Sequence, residues 1–81
     1  MIHELKILSE YFEAVADGRK PFEVRYNDRN YQVGDMLLLR EWDKKNEKYT
    51  GGDRTISKTI SYILDDERYL QRGYVVLGFV S

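Results

Sequence analysis

The segment Gly18-Arg19-Lys20-Pro21-Phe22-Glu23-Val24-Arg25 separates the one clear helix of this chain from a remainder that reads as strands. Upstream, Glu10 to Asp17 has helical spacing, with Phe12, Val15 and Ala16 on one face and Ser9 placed as the cap of its first turn. Glu10 near the start suits the positive end of the helix dipole. Gly18 stands where a left-handed C-terminal cap belongs, and Pro21 cannot continue a helix and pushes Lys20 toward extended backbone. Phe22 to Tyr26 then reads as a strand. Its period of two puts Glu23 and Arg25 on one face and Phe22, Val24 and Tyr26 on the other.

The strands account for most of the rest. Ile2 to Ile7 is the first. Met36 to Trp42 is another, and its Met-Leu-Leu-Leu start predicts burial on both faces. Arg54 to Leu64 alternates as a long half-buried strand, with Ile56, Ile60, Tyr62 and Leu64 together on its apolar face. Tyr74 to Val80 closes the series, with Gly78 as a candidate bulge. Tyr31 to Val33 reads as a short strand before a tight turn at Gly34-Asp35. Two charged connections remain. Asp43 to Asp53, ending in Gly51-Gly52, is expected to be a mobile loop, and Asp65 to Gly73 a turn containing one helical turn. The expected fold is therefore mainly β: one domain spanning 1–81, a small barrel of about five or six strands, with one main helix after the first strand. A barrel buries these faces without long bare edges.

Composition narrows the function classes. A hydrophobic content of 42% and seven tyrosines mark a globular chain rather than a disordered one. There is no cysteine, which excludes disulfide stapling and thiolate chemistry and fits a cytoplasmic location. No leader is visible at Met1-Ile2-His3-Glu4, and no apolar run nears the ~18 residues that span a bilayer. His3 has no second histidine or cysteine to share a metal, so no metal and no cofactor is expected. The net charge of −1 lacks the basic bias of a general duplex binder. Any nucleic-acid site must then be a local patch or a pocket for one nucleotide or base. A barrel this small can pair through an edge strand, but nothing in the sequence requires it, so a monomer is favoured and the oligomeric state stays open.

The eight-residue segment resembles the G-x-K-x-x-E-x-R signature of the ASCH family (activating signal cointegrator homology), a branch of the PUA-like superfamily. His3-Glu4-Leu5-Lys6, Asn27-Asp28-Arg29, Val33-Gly34-Asp35, Leu39-Arg40-Glu41-Trp42, Tyr62-Ile63-Leu64 and Gly73-Tyr74-Val75-Val76-Leu77 flank it in order. Together they are similar to a small bacterial and phage-associated group. The resemblance implies a PUA-like pseudo-barrel and a cleft beside the helix. The superfamily mixes RNA binders, modified-base readers and a few enzymes, so it does not by itself choose among activities.

Two constellations carry the candidate chemistry. Lys20, Glu23 and Arg25 converge on a predicted turn and strand, where the lysine and arginine would meet a phosphate or base edge and Glu23 would accept from a base or orient Arg25. Arg40, Trp42 and Tyr49, with Lys44, Lys45 and Lys48 around them, interleave rings and cations as single-stranded nucleic acid requires. The expected function is binding of RNA, or of a nucleotide or modified nucleoside, by these six residues. The alternatives are a small hydrolase acting on RNA or a modified nucleoside through Lys20 and Glu23, and a non-catalytic protein-interaction module. Amidohydrolases among ASCH-like proteins pair the signature lysine with a threonine nucleophile three residues on. Glu23 occupies that position here, and a carboxylate does not replace a hydroxyl as acyl acceptor. A ribonuclease would need Glu23, His3, Lys20 and Arg25 to meet.

Overall fold

The computed structural model describes residues 1–51 and 54–80. Six strands and one helix follow in the order β1 (Ile2–Leu8), α1 (Ser9–Ala16), β2 (Phe22–Tyr26), β3 (Met36–Asp43), β4 (Lys48–Tyr49), β5 (Thr55–Leu64) and β6 (Tyr74–Val80). One sheet holds them all, ordered β1-β3-β5-β6-β2, with β4 paired to the end of β3. β1 runs parallel to β3 and every other pairing is antiparallel. The sheet curls into a half-barrel. Its two edge strands come close enough for the Arg25 guanidinium on β2 to donate to the Lys6 carbonyl on β1.

The inner face is apolar at its centre: Leu5 and Ile7 from β1, Leu37 and Leu39 from β3, Ile60 from β5, and Val75, Leu77 and Phe79 from β6. α1 lies against β1 and β3 and adds Phe12 and Val15. Each side chain buried this fully contributes about 1.5–3 kcal/mol, which is what holds so short a helix in place. Gly18 has φ of 85°, the left-handed value expected of a helix-terminating glycine, and the Lys20 amide donates to the Ala14 carbonyl at 2.9 Å.

Several local expectations change. Ser9 is the first helical residue, not the cap, and its hydroxyl donates to the Trp42 carbonyl at 3.3 Å. Ala16 is exposed, because Phe12 and Val15 alone fill the space under the helix. Residues 31–33 form no strand. Tyr31 is instead a buried loop residue, and Gln32 to Asp35 closes a turn through the Asp35 amide and the Gln32 carbonyl at 3.0 Å. β3 is buried on one face only: Leu37 and Leu39 are in the core, while Leu38 is half-buried and Met36 exposed. The stretch expected to be a mobile loop contains a tight hairpin, Trp42 facing Tyr49 and Asp43 facing Lys48. Asp43 caps its turn by accepting from the Asn46 amide at 3.2 Å and side chain at 2.7 Å. Gly52 and Asp53, also assigned to that loop, lie outside the described residues.

In β5 the register with β6 shifts between Ile60 and Tyr62, so Ser61 is the bulged residue and Gly78 lies across from it. The extra residue inverts the faces. Ile60 and Ile63 pack on the core, whereas Tyr62 is turned outward and is 65% exposed. The apolar face read from simple alternation therefore holds only as far as Ile60. Asp65 to Gly73 contains the single turn expected, the Leu70 amide donating to the Asp66 carbonyl at 3.0 Å.

Polar clusters close the ends of the half-barrel. His3, 3% exposed, donates from Nε2 to Asp35 Oδ2 at 2.8 Å, and the Tyr31 ring meets it edge-on at 4.8 Å. Elsewhere Glu41 accepts from Thr50 Oγ1 at 2.6 Å and from Arg54 Nε at 2.9 Å. Arg54 also pairs with Glu13, which ties the helix to the strand ends.

Candidate functional site: the open seam between β1 and β2

β1 pairs only with β3, and β2 only with β6, so the half-barrel keeps an open seam where these two edges face each other. The site lies there. β2 is the unusual strand. Alternation placed Glu23 and Arg25 together, and they are, but it is the charged face that turns inward: Glu23 is 5% exposed while Val24 and Tyr26 on the outer face are more than half exposed.

A buried carboxylate needs partners, and Glu23 has two. The Lys20 ammonium, brought to the corner by Gly18 and Pro21, donates to Oε1 at 2.6 Å and to the Phe22 carbonyl at 3.0 Å. Arg25 donates through Nε to Oε2 at 3.1 Å, and its remaining fork crosses the seam to the Lys6 carbonyl. One carboxylate thus aligns two cations, and one of them bridges the sheet edges. Lys20 also lies 5.1 Å from the centre of the Tyr11 ring and 4.9 Å from that of Phe22, a cation–π arrangement that fixes its direction.

Above these groups opens a cleft of about 630 Å³. Its cations are Lys6, Lys20, Arg25 and Lys44, its carboxylate is Glu23, and its rings are Tyr11 and Trp42. A second hollow of about 340 Å³ shares Lys6 and Arg25 with the first and adds Arg29, Glu4 and Tyr49. The two predicted constellations therefore meet on one seam, with Trp42 on the lip of the larger hollow and Tyr49 on the smaller. Arg40 lines neither. It pairs with Glu4 at 2.7 Å and stacks over Tyr49 at 3.8 Å, so it supports the ring. Trp42 meets Tyr49 edge-on at 5.0 Å and carries the Lys6 ammonium over its face at 3.9 Å.

His3 is not part of this seam. It is held by Asp35, so the four groups that a ribonuclease would need do not come together. The bond from His3 holds the Asp35 carboxyl at about 2, against an ordinary 3.8; burial opposes this, and the Gln32 amide and Met1 ammonium assist. An ionised carboxylate only accepts, which places the His3 proton on Nε2. Burial pushes the Tyr31 hydroxyl up from its usual value. Among the described residues no three metal-ligating side chains are grouped, and no helix is long and apolar enough to cross a membrane.

Lys6 and Tyr11 are the site residues that sequence reasoning did not single out. The signal for Lys6 was present, since it alternates with the buried Leu5 and Ile7 at the end of an edge strand. Tyr11 left none, because its position depends on where the helix lies over the seam.

Residues 2–79 match the family described as a domain of unknown function, DUF3850, and the chain belongs to that family. It is also 40% identical over 76 residues to an uncharacterised 12.9 kDa protein encoded in the GpA 3′ region of Escherichia phage P2. The match takes in 94% of this chain and 65% of that relative, so the chain spans just under two thirds of the phage protein.

Proposed function

We propose that this domain binds single-stranded RNA, or a nucleotide or modified base derived from it, in the seam between β1 and β2, and that it acts in the cytoplasm without catalysis. The observation that carries this reading is the charge of the larger cleft: four cations to one carboxylate, in a chain whose net charge is −1. A positive cleft in a neutral protein concentrates an anionic ligand at one place. Tyr11 and Trp42 supply ring surfaces for bases beside those cations, and the cleft has the size of a small-ligand site. The resemblance to ASCH and PUA-like domains, whose cleft lies beside the helix, supports the same reading.

Glu23 favours binding over hydrolysis. It is 5% exposed and held between Lys20 and Arg25, so little of it is open to a substrate proton, which a general base must reach within hydrogen-bond distance. Its role here is to aim the two cations.

The test is chemical-shift mapping on the labelled protein with short single-stranded RNA, a panel of nucleosides including acylated cytidine, and single-stranded DNA, with each ligand checked for breakdown. Saturable shifts at Lys20, Glu23, Arg25 and Trp42 with intact ligand are expected. Product peaks that vanish in Glu23→Gln would make the protein a hydrolase. Absence of shifts for every ligand at low salt would leave a protein-interaction module.

A further inference from the structure

We infer that the outer face of the β5-β6-β2 half of the sheet is a docking surface for a second copy of this chain. Inversion of β2 and the bulge at Ser61 both turn apolar side chains outward, and the strand register assembles them into three adjoining rows. Phe22, Gly78 and Tyr62 form one row, Val24, Val76 and Leu64 the next, and Tyr26 with Tyr74 the third. Not one of these eight positions is charged. Four aromatic side chains and Val24, between 38% and 65% exposed, dominate the face. With Val80 beside them they present on the order of 600 Å² of accessible surface, most of it apolar, toward the upper end of what a monomer's largest patch shows. With the half-buried Val76 and Leu64 the area is about 650 Å², which falls at the lower end of the roughly 600–1,000 Å² per partner of a specific interface.

Two features select a second copy as the occupant. In a two-fold contact each patch meets itself, so any charge near the axis would face its own sign. A face with no charge has no such penalty, and the net charge of −1 adds little repulsion between copies. The shape is also self-matching. Gly78 leaves a notch between the Phe22 and Tyr62 side chains, so projecting rings and a hollow to receive them occupy the same surface. Nothing within the single chain demands glycine there: an added Cβ would meet only ordinary contacts, 3.6 Å to the Tyr62 carbonyl and 3.8 Å to its Cβ. Two such faces stack as sheets pack in a sandwich, with their rows interdigitated. Val24 also lines the larger cleft, so the second copy stands beside that cleft, although the contact does not depend on what the cleft binds.

Sedimentation equilibrium of the full chain tests this. The expected result is a species of twice the 9.7 kDa chain mass. Tyr62→Lys, an outward position, and Gly78→Val, which fills the notch, should each return it to the single-chain mass with native circular dichroism and amide spectra. A single-chain mass at every concentration up to about 1 mM would overturn the inference. So would a doubled mass that survives both substitutions, since a different surface would then form the contact.

Discussion

Glu23 is one buried carboxylate between two cations, and its replacement separates the charge from the shape. Glu23→Gln keeps the size but turns an amide NH2 toward Lys20 or Arg25, so one charge-assisted bond is lost and two like charges stay with no anion between them. A loss of about 2 kcal/mol is expected, because Lys20 and Arg25 remain partly in water and recover some hydration. The urea midpoint measures it, and an unchanged midpoint would mean that the triad contributes nothing to the fold. Asp35 gives a second expectation. Its folded value near 2 lies below the ordinary 3.8, so between these the unfolded chain holds more protons than the folded one and stability rises with pH. The contribution is complete above about pH 4 and disappears as the pH falls through 2. Asp35→Asn should flatten the acid limb of a stability–pH curve in that window; parallel curves would remove Asp35 from the acid response. At this scale the spacing of Lys20, Glu23 and Arg25 was legible in the sequence. Their burial was not, since a period of two says which residues share a face and is silent on which face is inside.

The strands show the same limit at the scale of elements. All but one of the six were legible from alternation and turn residues, and so was the helix. The exception is β4, two residues long, which exists because Asp43 caps the turn and Trp42 meets Tyr49; neither contact has a periodicity to read. The bulge in β5 escaped for a related reason. Ile60, Tyr62 and Leu64 continue a perfect alternation, and only the pairing with β6 reveals that Ser61 is extra. Deletion of Ser61 tests how much this register matters. It would leave Ile60 opposite Phe79 followed directly by Tyr62 opposite Gly78, so Tyr62 stays outward, Ile63 stays inward, and only the kink of the bulge is lost. A change within about 1 kcal/mol is therefore expected in the thermal melt, because no core side chain changes face. Ser61→Ala retains the register and should melt within about 0.5 kcal/mol of the unaltered chain. A loss of about 3 kcal/mol or more on deletion would mean that the curvature the bulge gives the sheet is itself needed to close the core.

For the whole molecule, the deciding quantity is where charge resides rather than how much there is. A duplex binder needs a broad basic surface, and a net charge of −1 provides none. The excess sits at Lys6, Lys20, Arg25 and Lys44, on a seam that exists because the curled sheet does not close. Sequence could give the total charge and the two constellations. It could not bring them together, because β1 and β2 meet only through the tertiary course of β3, β5 and β6. Glu23 offsets part of the excess, which leaves about two to three charges that the proposed reading assigns to phosphates. Single-strand binding should then weaken with salt along a log–log slope of about −1.5 to −2, from roughly 0.7 counterions released per neutralised phosphate. Anisotropy of labelled single-stranded RNA between about 50 and 200 mM salt measures the slope. Lys6→Gln and Lys44→Gln should each reduce it by about 0.7 while changing stability by no more than about 1 kcal/mol, since both side chains are exposed and Lys6 loses only its contact with the Trp42 ring. A slope near zero would place the ligand contacts on the rings alone and favour an uncharged base over a phosphate-bearing strand. A slope much steeper than −3 would require cations beyond the cleft, and the seam would no longer account for the binding.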